Sequence, residues 1–400
     1  LPAESPLLPK PAALKQDVDF WIRVYTAIGT NEGFIHDQRN LAVVYETLRF
    51  APDLPPAARQ AQVDAVRLKY QLILAWLASG ASPRDAEEQR VRDLWSQDTS
   101  TARLAQAVSE VRFQLGQSDR FRAGLKRAGA WETHIAETLA NRGLPAELAA
   151  LPHVESSFDP EAYSKVGASG LWQFMRSTGR LFMRIDRSVD ERLDPFRSTE
   201  AAAQLLAYNY RVLGTWPLAI TAYNHGPGGL LKAQTDLGTN DIATIVRRYN
   251  GATFGFASRN FYVAFLAALE VDRNAEKYFG RIPKQPDAES TTVELPDYVP
   301  VHALTGAFKV DLGALKALNP ALRPPIWDGA RFVPRGYALR LPGTVEQPQI
   351  EAALARIPLN QRYLAQRSDD SYRSRRGDTP QGIAQRSGVS LDRLMAANGW

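Results

Sequence analysis

Residues 151–175 read LPHVESSFDPEAYSKVGASGLWQFM, and the reading of the fold turns on this stretch. A short apolar run, Leu148–Val154, leads into one glutamate, Glu155. A Ser-Ser-Phe-Asp-Pro break follows, then a turn marked by Gly167 and Gly170, then Leu171-Trp172-Gln173-Phe174-Met175. A helix over residues 144–155 would place Leu148, Leu151 and Glu155 on one face, at i, i+3 and i+7. That spacing aims a carboxylic acid at an apolar surface. Burying its charged form is costly unless it is paired or protonated, so a lone acid there needs a reason.

The 400-residue chain has room for two or three domains and an ordinary apolar and charged content, so a sizeable core is expected. A net charge of +5 suits an anionic polymer such as nucleic acid, anionic lipid or bacterial cell wall, but selects none of them, and simple solubility accounts for it equally well. The absence of cysteine removes disulfides, thiol catalysis and thiolate metal sites. The five histidines, at 36, 134, 153, 225 and 302, form no HExxH or similar pattern, so neither a metal nor an organic cofactor is expected. No apolar run reaches the ~18–20 residues that a membrane span needs. The opening LPAESPLLPKPAAL shows no signal-like n- and h-region and reads as a Pro-rich tail, compatible with what remains after signal removal.

Residues 1–16 are expected to be extended or disordered and residues 17–128 to form an all-helical N-terminal domain. Within it, Asp17 is read as the cap of a helix carrying Phe20, Trp21, Val24, Tyr25 and Ile28. Leu41–Phe50 forms a short apolar segment, and helices are expected at 57–79, 84–95 and 99–115. No chemistry is read in this part, and its Trp and Tyr residues are assigned to the core. Residues 129–280 are expected to be mostly helical too, with helices near 131–141, 145–155, 170–183, 199–213, 216–224, 228–235, 240–248 and 258–274.

Residues 281–300 are Pro-rich and polar, a linker composition. Beyond them, Val310–Asn319 matches Val389–Asn398: each has a capping Asp or Ser before Leu-x-x-Leu and ends on Asn. With strand candidates at Tyr337–Leu341 and Tyr372–Arg375, this suggests two small α+β modules, 301–342 and 367–400, joined by a connector, 343–366, that is partly helical at 347–356.

Four segments stand out between residues 150 and 265: Glu155-Ser156-Ser157-Phe158, Gly167–Met175, Ala222-Tyr223-Asn224-His225-Gly226-Pro227-Gly228, and Ser258–Val263. Singly, each has a bland reading: a surface acid at a helix end, a glycine turn, a helix C-cap, a core aromatic. In this order and spacing they resemble the cell-wall lytic transglycosylases of the soluble-slt and membrane-bound D type, which share a goose-type lysozyme fold. The resemblance covers about 144–275. Tyr372–Thr379, with Ile383-Ala384 and Gly388-Val389-Ser390, is similar to the opening of a LysM domain, a binder of N-acetylglucosamine polymers.

This resemblance implies a mostly α protein with a lysozyme-like catalytic domain at 129–280, a degenerate LysM-like module at 301–342 and a partial LysM module at 367–400. It matches Glu155 to the catalytic acid/base and Ser164 to a serine near that acid. Gln173 and Met175 match residues lining a glycan cleft, above a turn shaped by Gly167 and Gly170. Tyr223 and Asn224 match a pair facing the acid and the sugar, and Tyr262 a tyrosine of the last motif. Two positions depart from the pattern: Trp172 stands where many relatives have Met, and Ser258-Arg259 where the fourth motif usually has Glu-Thr.

Glycoside cleavage normally uses two carboxylates. Here only Glu155 has an apolar setting, while Asp159 and Glu161 flank Pro160 at a break and are read as solvated. The resemblance implies that the substrate's own 2-acetamido group and 6-hydroxyl replace the second carboxylate, giving a 1,6-anhydro product. The expected function is therefore a peptidoglycan lytic transglycosylase of the bacterial periplasm or envelope. Glycan strands are its partner, no nucleic acid is involved, and no transmembrane segment lies in this chain. A hydrolytic muramidase on the same fold and a non-catalytic wall-binding scaffold remain open. The last module stops at Trp400 before the closing strand such a module needs, which leads to the expectation that the natural chain continues or that this copy borrows a partner.

Overall fold

The computed structural model describes residues 7–287 and 290–367 and, beyond them, 374, 376–387 and 389–398. It divides into two compact units, Leu1–Glu289 and Ser290–Trp400. The first takes in both the expected N-terminal region and the expected catalytic region.

In the first unit the axis of the core is a helix, Phe256–Arg273, buried on nearly all sides: Phe261, Tyr262, Val263, Phe265, Leu266, Ala267 and Ala268 are each at most 5% exposed. An apolar stripe on Lys15–Thr26 (α1) packs along it through Val18, Phe20, Trp21, Val24 and Tyr25. Asp17 does not cap α1. It is buried in the first turn and paired with Arg247, whose Nη1 donates to Oδ1 at 3.0 Å. The expected disordered tail is also corrected where it is described. Leu8 and Leu14 are buried, Ala12–Leu14 forms a 3-10 turn, and the Pro9 carbonyl accepts from the Tyr262 hydroxyl at 2.8 Å. Residues 1–6 lie outside the described residues.

The expectation that residues 17–128 are all-helical is also corrected. Glu32–Asp37 (β1), Val44–Arg49 (β2) and Val111–Leu115 (β3) form an antiparallel sheet in the order β2-β1-β3. The helix expected to 115 stops at Glu110, and the chain passes into β3 without a loop. Successive residues of β1 point to opposite faces, so Phe34 enters the main core while Ile35 enters a second core. That second core is closed by the helix Pro56–Ala78 (α2), by Ala86–Asp93 (α3) and by Thr101–Glu110 (α4), through Tyr70, Leu74, Val91 and Leu104. With both faces covered, β1 lacks the apolar–polar alternation that would have marked it as a strand.

The stretch expected to be catalytic is less helical than its composition suggests. After Ser118–Ala128 (α5) and Glu132–Asn141 (α6), the expected helix over 145–155 is a 3-10 segment, Ala146–Ala150, followed by one α turn, Leu151–Glu155 (α7). Pro152 has no N–H to continue the ladder from the preceding turn. The helix expected at 170–183 is reduced to Arg176–Gly179 (α8). Residues 159–175 are instead turns, with isolated bridges Tyr163–Ser169 and Ser169–Phe174. The remaining helices are Pro195–Leu213 (α9), Trp216–His225 (α10), Pro227–Leu237 (α11), Ile242–Arg248 (α12), Phe256–Arg273 (α13) and Ala275–Phe279 (α14).

A buried ion pair holds that turn region. Arg192, 1% exposed, grips Asp190 through Nε–Oδ1 at 2.9 Å and Nη2–Oδ2 at 2.8 Å, and its Nη1 donates to the carbonyls of Gly167 (2.9 Å) and Phe174 (3.0 Å). The Arg192 carbonyl also packs against Gly170, where φ is +82° and an added Cβ would lie 1.8 Å away. Only glycine meets both demands.

In the second unit, Ser290–Glu294 (β4) pairs antiparallel with Ala338–Pro342 (β5), with Val301–Phe308 (α15) and Leu312–Leu318 (α16) between them. The expected linker 281–300 thus contains a strand. A short helix, Pro324–Trp327, also precedes β5, and helices follow it at Gln347–Arg356, Pro380–Ser387 and Leu391–Asn398. The expected strand Tyr372–Arg375 lies outside the described residues, apart from Ser374.

Arg192→Met would leave Asp190 buried without its cation. Urea unfolding is expected to show a loss of about 3–5 kcal/mol, and Asp190→Asn/Arg192→Met is expected to lose less than the single variant.

Candidate active site

Glu155 ends α7, and the chain then reverses through two consecutive left-handed residues, Ser157 (φ 53°) and Phe158 (φ 55°). Such a conformation is unfavourable for residues with a Cβ, so the surroundings must enforce it. Arg127 of α5 does so from one side, donating from Nη2 to the Ser157 carbonyl at 2.6 Å and from Nε to the Phe158 carbonyl at 3.1 Å. Gly124, one turn earlier, lets the Ser157 carbonyl approach: a Cβ there would lie 2.7 Å from it. From the other side the Ser156 hydroxyl donates to the Leu171 carbonyl at 2.7 Å, tying the turn region to α7. His153 is buried, stacked on Phe121 at 4.4 Å, and hydrogen-bonds Asp272 at 3.3 Å.

The Glu155 carboxyl itself has no hydrogen-bond or ion-pair partner among the described residues, and burial alone raises its pKa to about 8. Glu155 lies at the meeting of two cavities of about 760 and 290 Å³. Each is lined by Gln117, Val154 and Glu155. The larger also takes in Asp119, Arg120 and Tyr163, the smaller Tyr25, Gln114 and Asn224.

Of the residues singled out in the sequence, the structure brings Asn224 to Glu155 directly, in the smaller cavity. The Asn224 Oδ1 accepts from Ser258 at 3.0 Å, which leaves its amide N–H groups free among the described residues. Tyr223 is close enough for the Glu155 charge to oppose its ionisation. Burial, then Glu155, raises its pKa well above the usual range, and its hydroxyl donates to the Trp172 carbonyl at 2.8 Å.

The others stand elsewhere. Ser164 organises its own turn, its hydroxyl accepting from the Ala168 N–H at 2.9 Å, and it does not line either cavity. Gln173 has φ 49° and donates to the carbonyls of Ala162 (3.2 Å) and Gly170 (2.9 Å), so it braces the turn from within. Gly170 shapes the turn, and Met175 is exposed beyond it. Tyr262 is fully buried in α13 and bonded to Pro9. The resemblance counts Tyr262 among substrate-binding residues, and the structure corrects this to a place in the core.

Residues 17–128, where the sequence shows no chemistry, also contribute to the lining. Tyr25, Gln114, Gln117, Asp119 and Arg120 all reach the cavities. Tyr25 has its pKa raised by burial first and by Glu155 second. No short-range pattern marks them, because each is brought in by long-range packing of α1, β3 and α5. Asp119 is a second acid in the larger cavity. Burial would raise its pKa, but hydrogen bonds from the Thr30 hydroxyl and from the Arg120 and Thr30 N–H groups outweigh this and hold it below the usual carboxylate value. Among the described residues, no group of three or more His, Asp or Glu is placed to hold a metal ion.

Comparison with known proteins places a transglycosylase SLT domain over residues 132–246 and a LysM domain over 372–399. The chain carries an SLT transglycosylase domain. It is homologous to the membrane-bound lytic murein transglycosylase D of Escherichia coli K12, 29% identical over 284 residues. That match covers 68% of this chain and 60% of the relative, so the chain spans somewhat over half the length of this relative. The membrane-bound lytic murein transglycosylase F 2 of Alkalilimnicola ehrlichii is 35% identical over 165 residues, 36% of each chain. Among solved structures, the 70 kDa soluble lytic transglycosylase of Escherichia coli is 15% identical, with a TM-score of 0.32 over 67% of this chain and 52% of that one. The mostly α fold class expected from the sequence, with its small α+β modules, holds. Among the described residues it gains the three-stranded sheet and the strand β4.

The raised Glu155 pKa makes a stability prediction with a definite sign. Its folded value, about 8, lies above the 4.5 of the unfolded chain, so the native state resists ionisation. No penalty exists below pH 4.5. It grows as pH rises through the window to about 8 and is constant above. Glu155→Gln removes it. Thermal melting is expected to show equal stability for the two proteins at pH 4 and a gain of at least ~2–4 °C for the variant at pH 8.

Proposed function

We propose that this chain is a peptidoglycan lytic transglycosylase that cleaves the MurNAc–GlcNAc β-1,4 bond, with Glu155 acting first as acid and then as base. The observation that carries this reading is the unpaired, desolvated carboxyl of Glu155 at the meeting of two cavities. A pKa near 8 keeps it protonated at neutral pH, as a general acid must be. Glu155 gives its proton to the bridging oxygen as the C1–O bond breaks. The neighbouring 2-acetamido group stabilises the cationic centre. The carboxylate then takes the proton of the 6-hydroxyl while O6 bonds to C1, closing a 1,6-anhydro ring without water. The free amide N–H groups of Asn224 are placed to orient the acetamido group. Tyr223 acts on the site by holding the Trp172 carbonyl rather than by touching sugar.

The SLT domain, the LysM domain and the membrane-bound murein transglycosylase relatives support glycan strands as the substrate and the bacterial cell envelope as the setting, and the periplasm is the compartment of this reading. No helix among the described residues is long and apolar enough to cross a membrane. Asp119 favours a second reading: an ionised carboxylate in the larger cavity is the group that hydrolysis would use to activate water.

Digestion of purified sacculi followed by mass spectrometry separates the readings. The expected products end in anhydro-MurNAc, and products 18 Da heavier would establish hydrolysis. Glu155→Gln is expected to lose at least about 100-fold in release rate. Unchanged digestion by that variant would remove Glu155 from the chemistry.

A further inference from the structure

The match to the SLT domain begins at residue 132, yet both cavities at Glu155 are completed by residues before it. One of these, Gln117, has a special place. It sits between β3 and α5 and, with Val154 and Glu155, is one of three residues that line both cavities. Its main chain is already used: the N–H donates to the Val24 carbonyl at 2.9 Å, and its carbonyl accepts from the Phe121 N–H at 2.8 Å. Its side chain does not cap α5 and has no hydrogen-bond partner among the described residues. The polar group that Gln117 offers at the junction is therefore its primary amide, fixed from behind by α1 and α5.

Val154 offers nothing polar, and Glu155 is occupied with the proton, so Gln117 is the neutral donor–acceptor at the point where the two cavities meet. Its charge is zero, so it leaves the Glu155 carboxyl unpaired. A primary amide presents two N–H donors and a carbonyl, which match the carbonyl and N–H of an acetamido group. Resting on the transglycosylase reading, we propose that Gln117 is a specificity-determining residue that hydrogen-bonds the 2-acetamido group of the sugar at the cleavage point, making N-acetylation of the glycan a condition of productive binding.

The test is a binding measurement on the full chain in the Glu155→Gln background, which does not turn substrate over. Titration calorimetry compares a (GlcNAc–MurNAc)2 tetrasaccharide with its N-deacetylated form, with and without Gln117→Leu. Any contribution of the LysM domain is common to both proteins and cancels in the comparison. The acetylated ligand is expected to bind at least about 10-fold more tightly to the parent, and Gln117→Leu is expected to lower that ratio at least about 3-fold by weakening the acetylated ligand alone, with Asn224 still holding the group. Gln117→Ala, checked by thermal melting, serves the same purpose if the leucine disturbs folding. A ratio that survives both variants would overturn the role of Gln117 while leaving the transglycosylase reading intact. Absence of binding by either ligand to the parent would overturn both.

Discussion

The site depends on one constraint: the Glu155 carboxyl must be desolvated without acquiring a charged partner. Near neutral pH an arginine within reach would ionise it, and full exposure would do the same. The structure leaves Glu155 unpaired among the described residues, and several of the strong groups around it are already committed. Arg127 is spent on the carbonyls of Ser157 and Phe158, Arg192 on Asp190 and two turn carbonyls, Asp119 on Thr30, and the Tyr223 hydroxyl on the Trp172 carbonyl. Each of those bonds also shapes the chain around Glu155. The turn that reverses after α7 and the 159–175 region are thus held by the same interactions that keep charge away from the acid.

A region before the SLT domain takes part in this burial. α1 lies along the central helix α13, and Val24 of α1 accepts the Gln117 N–H. Tyr25 brings its ring against Phe121, at 5.0 Å, and lines the cavity beside Glu155. These apolar contacts exclude water from one side of the carboxyl, and burial is the whole cause of its raised pKa. A salt bridge could not replace them, since it would push the pKa the other way. Hydrophobic packing from a distant part of the chain is thus a direct contributor to acidity at the site.

Much of this was legible in local sequence, and what was not has physical reasons. Glu155 and Asn224 are marked by short motifs because their roles need local turn chemistry: a helix end, a left-handed residue, a glycine. Gln117 and Tyr25 carry no such mark, since they are placed by contacts between segments about 40 to 140 residues apart in sequence. β1 reads as an ambiguous apolar stretch because the sheet has a core on each face. Leu171–Met175 reads as a helix because it is apolar, but Gly170 and Gln173 both adopt positive φ, and Arg192 holds the loop in that form. Tyr262 carries the motif position expected of a site residue. Its hydroxyl is nonetheless taken by Pro9, a partner that the apparently featureless tail supplies.

The internal repeat teaches a different lesson, about which signatures report fold and which report ligand. In the first copy the closing Asn319 is 1% exposed. Its amide donates to the carbonyls of Leu315 (2.7 Å) and Arg340 (2.9 Å), and its oxygen accepts from the Arg340 N–H (2.9 Å). One side chain therefore ends α16 and locks it to β5. The matching Asn398 makes the first of these bonds, to Leu394 at 2.8 Å. Gly377-Asp378-Thr379, present only in the second copy, is likewise used internally: Gly377 has φ 92°, and the Thr379 hydroxyl accepts from the Gly382 N–H at 3.1 Å to start a helix. In the first copy Pro300 and Asp311 start the helices instead. The first copy thus forms its helices without Gly-Asp-Thr, and its asparagine joins helix to sheet where that motif, in the second copy, starts one helix.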